Sequence, residues 1–148
     1  MTPQPMKIRI VVLAVLLAAL AAVAVSQTTQ TRKHHVVFQM VTDNKDAWEG
    51  LFANIRNAQK IFGADTMEIE VVVYSSGIEM LRKTNTGMEA AMKKAIDTGV
   101  VLSACQNSMR AHKITTEDLF PFASQVDSGV AEVIRKQEAG WSYVRAGN

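Results

Sequence analysis

The sequence predicts an α/β fold, a three-layer α/β/α sandwich around a mostly parallel five-stranded sheet. Three observations predict it. Short apolar, β-branched runs take turns along the chain with segments of 3.6-residue periodicity. The connections are short, as in successive strand–helix–strand units. The strand runs also become continuously apolar, as strands covered on both faces do.

The elements follow in order. His35–Val41 is short, apolar and β-branched and reads as a buried strand, and Thr42, Asp43 and Asn44 supply cap residues. Lys45–Phe62 places Trp48, Leu51, Phe52, Ile55, Ala58 and Phe62 on one helical stripe, and Gly63 ends it. Met67–Tyr74 is a second strand, alternating at first and then continuously apolar, broken by Ser75-Ser76-Gly77. Ile78–Arg82 reads as a short helix. Met88–Thr98 is helical, with Met88, Ala91, Met92 and Ala95 on one face and Gly99 at its end. Glu89 stands four residues before Lys93, the favourable orientation for a solvated pair. Val100–Ala104 is the third strand, and Cys105 follows it directly. Gln106–His112 reads as a short helix, and Thr115–Asp118 as a capped start that Pro121 interrupts. Ala123–Val126 is a short fourth strand, Val130–Glu138 a helix capped by Asp127-Ser128-Gly129, and Trp141–Arg145 a final strand at an edge. Trp48 and Trp141 read as core or subunit-contact residues.

The first 26 residues stand apart. Lys7 and Arg9 precede Ile10–Val25, an uncharged run, and small residues at Ala24 and Ser26 precede Gln27. A basic start, an apolar stretch and a small-x-small site make a secretory signal peptide. A permanent anchor is the alternative, but the run is shorter than the ~20 residues of a spanning helix. The expected division is therefore 1–26 signal peptide, 27–34 polar linker and 35–148 α/β domain, exported to the periplasm and free of the membrane after cleavage. Of the 16 Lys plus Arg, two leave with the signal, so fourteen cations then face fourteen Asp plus Glu. The slight basicity of the whole chain belongs to the signal, which argues against nucleic acid as a partner.

Ligands of open α/β sheets bind outside the carboxyl ends of the strands. Thr42-Asp43-Asn44, Ser75-Ser76-Gly77 and Cys105-Gln106-Asn107-Ser108 all arrive at that edge. Cys105 is the single cysteine, so one chain makes no disulfide or cysteine-cluster metal site. Between a strand and a helix start, backbone N–H groups favour a thiolate, the reactive form. Arg110 lies one or two turns along. The competing reading makes Cys105 a small buried hydrophobe, and position alone leaves both open. His34 and His35 lie at a strand entrance, opposite this edge, and His112 reaches the thiol only across a bend, so a Cys–His nucleophile pair fits poorly. No metal-ligand spacing and no glycine-rich phosphate loop is present. No metal and no cofactor are expected.

From His35 onward the chain resembles the DsrE/DsrF-like family, small α/β proteins of sulfur oxidation and of the sulfur relay to tRNA. The most specific stretch runs from Gly99 through Val100, Ser103, Ala104, Cys105, Gln106, Asn107 and Ser108 to Arg110, followed by Ile114. Asn54–Asn57, Val71–Tyr74 with Gly77, and Ser128–Glu132 with Gln137, Gly140 and Trp141 support it. The resemblance implies homotrimers or homohexamers. It also implies that Cys105 receives sulfane sulfur as a persulfide and passes it to a partner thiol, on a protein or a small molecule. Relay members are cytoplasmic, whereas this chain carries an export signal. On that basis Cys105 is the expected catalytic residue of a sulfurtransferase-like carrier. Asn107, Ser108 and the backbone after Cys105 would position the sulfur, Arg110 would be a further binding residue, and Ser75, Ser76 and Gly77 would line the pocket. The alternative is a non-catalytic oligomeric binding or redox-sensing protein with a structural Cys105. A peroxide-type reductase is the weakest option, because the chain lacks a resolving cysteine.

Overall fold

A computed structural model describes residues 33–146. In it the first apolar run forms β1, His34–Met40. Asn44 then caps α1, Lys45–Phe62, its side-chain oxygen accepting from the N–H of Asp46 at 2.8 Å and of Ala47 at 3.4 Å. Trp48, Leu51, Phe52 and Ile55 are buried, the face that the periodicity predicts. Next come β2 at Met67–Val73, α2 at Glu89–Asp97, β3 at Val101–Cys105 and α3 at Gln106–Ala111. The chain closes with β4 at Ser124–Val126, α4 at Gly129–Glu138 and β5 at Ser142–Arg145. Glu89 and Lys93 form the expected pair at 2.6 Å.

Every strand pair is parallel, in the order β4-β3-β2-β1-β5. The chain steps from β1 to β4 in one direction and then crosses the whole sheet to β5. Successive strand residues alternate between faces, and two apolar clusters divide along that alternation. Phe38, Met40, Val71 and Val73 join the large cluster with Trp48, Met92 and Met109. Val37 and Val72 join the small one, whose third buried member is Val133 of α4. Helices α1, α2 and α3 therefore cover one face and α4 the other. The exits of β3 and β4 lead to opposite faces, which makes the crevice between them the topological switch point of the sheet.

Two local expectations change. The helix expected at Ile78–Arg82 is a 3-10 stretch, Ser75–Leu81. It must turn tightly because Gly77 lies against the end of β1, where a Cβ would come within 2.7 Å of the Met40 carbonyl oxygen. Thr115–Asp118 does form a capping box, but it opens only a single 3-10 turn, Thr116–Asp118. The turn ends when Leu119 pairs with Arg82 in an antiparallel bridge and the Phe120 N–H donates to the Leu81 carbonyl. Pro121 comes after that ending. The remaining boundaries differ by one or two residues.

Candidate functional site around Cys105

Cys105 ends β3 at the switch point, its side chain on the α4 face with Ser103, two residues back. Two helix starts meet there. Ser128, the residue before α4, makes no side-chain cap. The N–H of Gly129, at the head of α4, donates instead to the Cys105 sulfur at 3.1 Å. The N–H groups of Asn107 and Ser108 and the Ser108 hydroxyl face the same sulfur from α3, less directly. Burial raises the thiol pKa, but these donors outweigh it and the net direction is downward. A hydrogen bond to an ionised group is about twice as strong as a neutral one, so the donors favour the thiolate.

The sulfur is nonetheless covered, since Cys105 is 3% exposed. A helix start therefore favours the thiolate here without exposing it, and of the two readings that position leaves open, burial is the one seen, with the Gly129 N–H of α4 lying on the sulfur. An adjacent open cleft of about 440 Å³ is lined by Gln106, Met109, Arg110, Ile114, Thr116 and Gln125, and Cys105 is not part of its wall.

The expected site residues fall into two groups. Ser108 is buried beside the thiol, and its hydroxyl accepts from the Ser75 N–H at 2.7 Å. Ser75 therefore serves the site through its backbone, held at φ 54°, the left-handed region. Ser76 donates to the Val41 carbonyl at 3.2 Å, and Gly77 packs on Met40, so both fix the loop after β2 to the end of β1. Asn107 contributes its N–H. Its side chain accepts from Arg110, and both side chains are exposed. Arg110 is not among the groups that move the thiol most. His112 lies 3.9 Å from Glu79, and His35 lies 3.0 Å from Glu68 at the other end of the sheet. Among the described residues no group of three His, Cys, Asp or Glu gathers as a metal site.

Three residues of this region were not singled out as site residues from the sequence. Gly129 is one. The exit of β4 is a fourth arrival at the ligand edge, and counting it would have found the cap sequence Asp127-Ser128-Gly129. Tyr74 is the second. It follows Val73, the register partner of Ala104, and so stands beside Cys105. Its ring packs against Gly129, where a Cβ would meet Tyr74 carbons at 2.6–2.8 Å. Its hydroxyl accepts from Gln39 at 2.5 Å, and Gln39 in turn accepts from Tyr143. Burial first, then the charges of Tyr143 and Cys105, push the Tyr74 pKa up. The third is Glu70, buried in the sheet beneath α4.

The profile of the DsrE/DsrF-like family matches residues 33–146. Among solved structures, the chain is similar to MTH1491 from Methanobacterium thermoautotrophicum, a protein of unknown function. The two share 32% identity with a TM-score of 0.72, over 76% of this chain and 99% of that one. BT1422 from Bacteroides thetaiotaomicron, also of unknown function, shares the fold at 13% identity and a TM-score of 0.59, over 75% of this chain and 93% of its own. Comparison with curated proteins finds no match. With its parallel sheet and its cysteine at the head of α3, the chain belongs to the DsrE/DsrF-like family.

Proposed function

We propose that this protein is an exported sulfur carrier that holds sulfane sulfur as a persulfide on Cys105. The observation that carries the reading is the hydrogen bond from the Gly129 N–H to the Cys105 sulfur at 3.1 Å, at a strand end where the first turn of α3 also faces that sulfur and helps hold its pKa down. Such a setting favours thiolate over thiol, and the thiolate is the nucleophile of sulfur exchange. The Cys105 thiolate attacks the sulfane sulfur of a polysulfide or protein persulfide. A bond forms between the two sulfurs, and the donor's sulfur–sulfur bond breaks to release a thiolate. An acceptor thiolate then attacks the outer sulfur and displaces Cys105 as thiolate. One zero-valent sulfur moves in each half, so no external oxidant or reductant is consumed. Because the resting sulfur is buried, the first turn of α4 must yield before a donor arrives. Export rests on residues 1–26, which lie outside the described residues, and the working form is a homotrimer or homohexamer.

Cyanolysis tests the reading. Protein incubated with polysulfide, desalted and treated with cyanide should yield about one thiocyanate per Cys105, and a small thiol added first should remove it. Cys105→Ser should yield none. Equal yields from both proteins would sink the proposal.

The 3% exposure of Cys105 favours a second reading, a structural or redox-sensing cysteine in an oligomeric binding protein. That reading predicts that Cys105→Ser mainly costs stability and that native Cys105 takes up no sulfur.

A further inference from the structure

We propose that Glu70 and Lys136 are positioning residues for Cys105, a buried ion pair that fixes where the start of α4 sits and so sets the thiolate. The inference rests on the reading of Cys105 as the working thiol. Lys136 Nζ lies 2.6 Å from Glu70 Oε2, with side chains 23% and 7% exposed. Glu70 Oε1 accepts from the Ser103 hydroxyl at 2.6 Å, and Ser103 bonds Ser124 at 3.0 Å. Lys136 also lies 4.0 Å over the Trp141 ring. The pair thus joins the third turn of α4 to β2, β3 and β4, directly below Cys105.

Apolar contact holds α4 less firmly. Its cluster has three buried members, Val37, Val72 and Val133. The larger cluster on the other face numbers many more. A sparse contact of this kind leaves a helix free to shift along the sheet, whereas a buried ion pair fixes one position, because displacement would leave Glu70 uncompensated. Other charges on α4 extend the tie toward its first turn. Arg135 bonds Glu132 at 2.9 Å and Asp127 at 2.6 Å, and Asp127 accepts from the Ser128 N–H at 2.8 Å. Lys136 lies 3.8 Å from Glu132, so the contacts run from the sheet through Glu132, Arg135 and Asp127 to the residue before Gly129. Around the thiol itself, Tyr74, the residue after β2, is a titratable group that feels the charge of Cys105.

Thiolate absorbance near 240 nm, followed against pH with Cys105→Ser as blank, reads the effect without a sulfur donor. Lys136→Met alone strands a buried carboxylate, so the main variant is the neutral double Glu70→Gln/Lys136→Met. Glu70→Gln/Lys136→Gln, also neutral, serves the same comparison if that double does not fold. The expected result is a higher titration midpoint, with thiolate at neutral pH lower by roughly fivefold, the worth of one lost hydrogen bond. The Gly129 amide resonance should shift with it, and Lys136→Arg should keep the wild-type midpoint. A folded variant with an unchanged midpoint and an unchanged Gly129 amide overturns the proposal. The two readings fail separately. A thiol that follows Lys136 but refuses sulfane sulfur removes the carrier function and leaves the positioning pair. A thiol that takes sulfur but ignores Lys136 does the reverse.

Discussion

The backbone N–H of Gly129 donates to the sulfur of Cys105 at 3.1 Å, across 24 positions of chain. A helix with no side-chain cap has taken a cysteine from a neighbouring strand as the acceptor for its first N–H. That bond couples three things: the ionisation of the thiol, the burial of the sulfur and the seating of α4 on the small-cluster face.

Gly129→Ala tests the coupling by space alone. The added Cβ would lie 2.6–2.8 Å from Tyr74 carbons, so α4 must lift. The expected outcome is a loss of about 1–3 kcal/mol in urea unfolding, a higher thiol titration midpoint and faster alkylation of Cys105 at a pH above that midpoint. Wild-type values for all three would mean that the contact does not set the site.

Ser108→Ala removes a hydroxyl from the sulfur and leaves the Ser75 N–H without its acceptor. Ser75 is exposed, so water can replace the lost acceptor and the cost is about 0.5–1.5 kcal/mol, the net worth of one hydrogen bond. The variant should therefore unfold more easily and hold less thiolate at neutral pH. Ser108→Thr keeps the hydroxyl and should retain most of the thiolate.

Gly77→Ala separates the scaffold from the chemistry. Its Cβ would come within 2.7 Å of the Met40 carbonyl oxygen, a backbone atom that cannot swing aside. Stability should fall by about 1–3 kcal/mol. The thiol midpoint of the folded fraction should move little, because Gly77 touches the β1 exit and not the sulfur.

The depressed thiol pKa has a consequence for stability. Burial raises it and the hydrogen bonds lower it by more, so the folded value lies below the ordinary value of 9.0. The unfolded chain then binds more protons between those two values, and stability rises with pH there. The contribution is complete above the ordinary value and disappears as pH falls through the folded one. In urea unfolding at several pH values, wild type should gain on Cys105→Ser as pH rises toward 9. A difference that stays constant with pH would contradict the lowered pKa.

The sequence disclosed the scaffold better than the site, and particular residues show why. Trp48, Leu51, Phe52 and Ile55 declare their helix because the period of that helix repeats within a few residues. The switch from alternating to continuous apolar character at Ile69–Val73 likewise marks a strand covered on both faces. Cys105 and Ser108 were legible as neighbours, since three positions on a helix start bring them together. Gly129 reaches the sulfur through a crossover that spans the sheet, Tyr74 comes beside Cys105 through strand register, and no local pattern encodes either. Glu70 looks like the solvent half of an alternating run, yet Lys136 closes over it. The side chains of Asn107 and Arg110, both expected at the sulfur site, bond each other in the open, while the Asn107 N–H faces the sulfur.

The central claim is that Cys105 carries sulfane sulfur. Intact-mass measurement of the mature protein, isolated from its native compartment and again after polysulfide, tests it most directly. The expected result is the added mass of sulfur atoms on wild type, none on Cys105→Ser, and return to the unmodified mass on addition of a thiol. An unmodified wild-type mass, with Cys105 inert to alkylation in the folded state, would contradict it and leave Cys105 a structural residue.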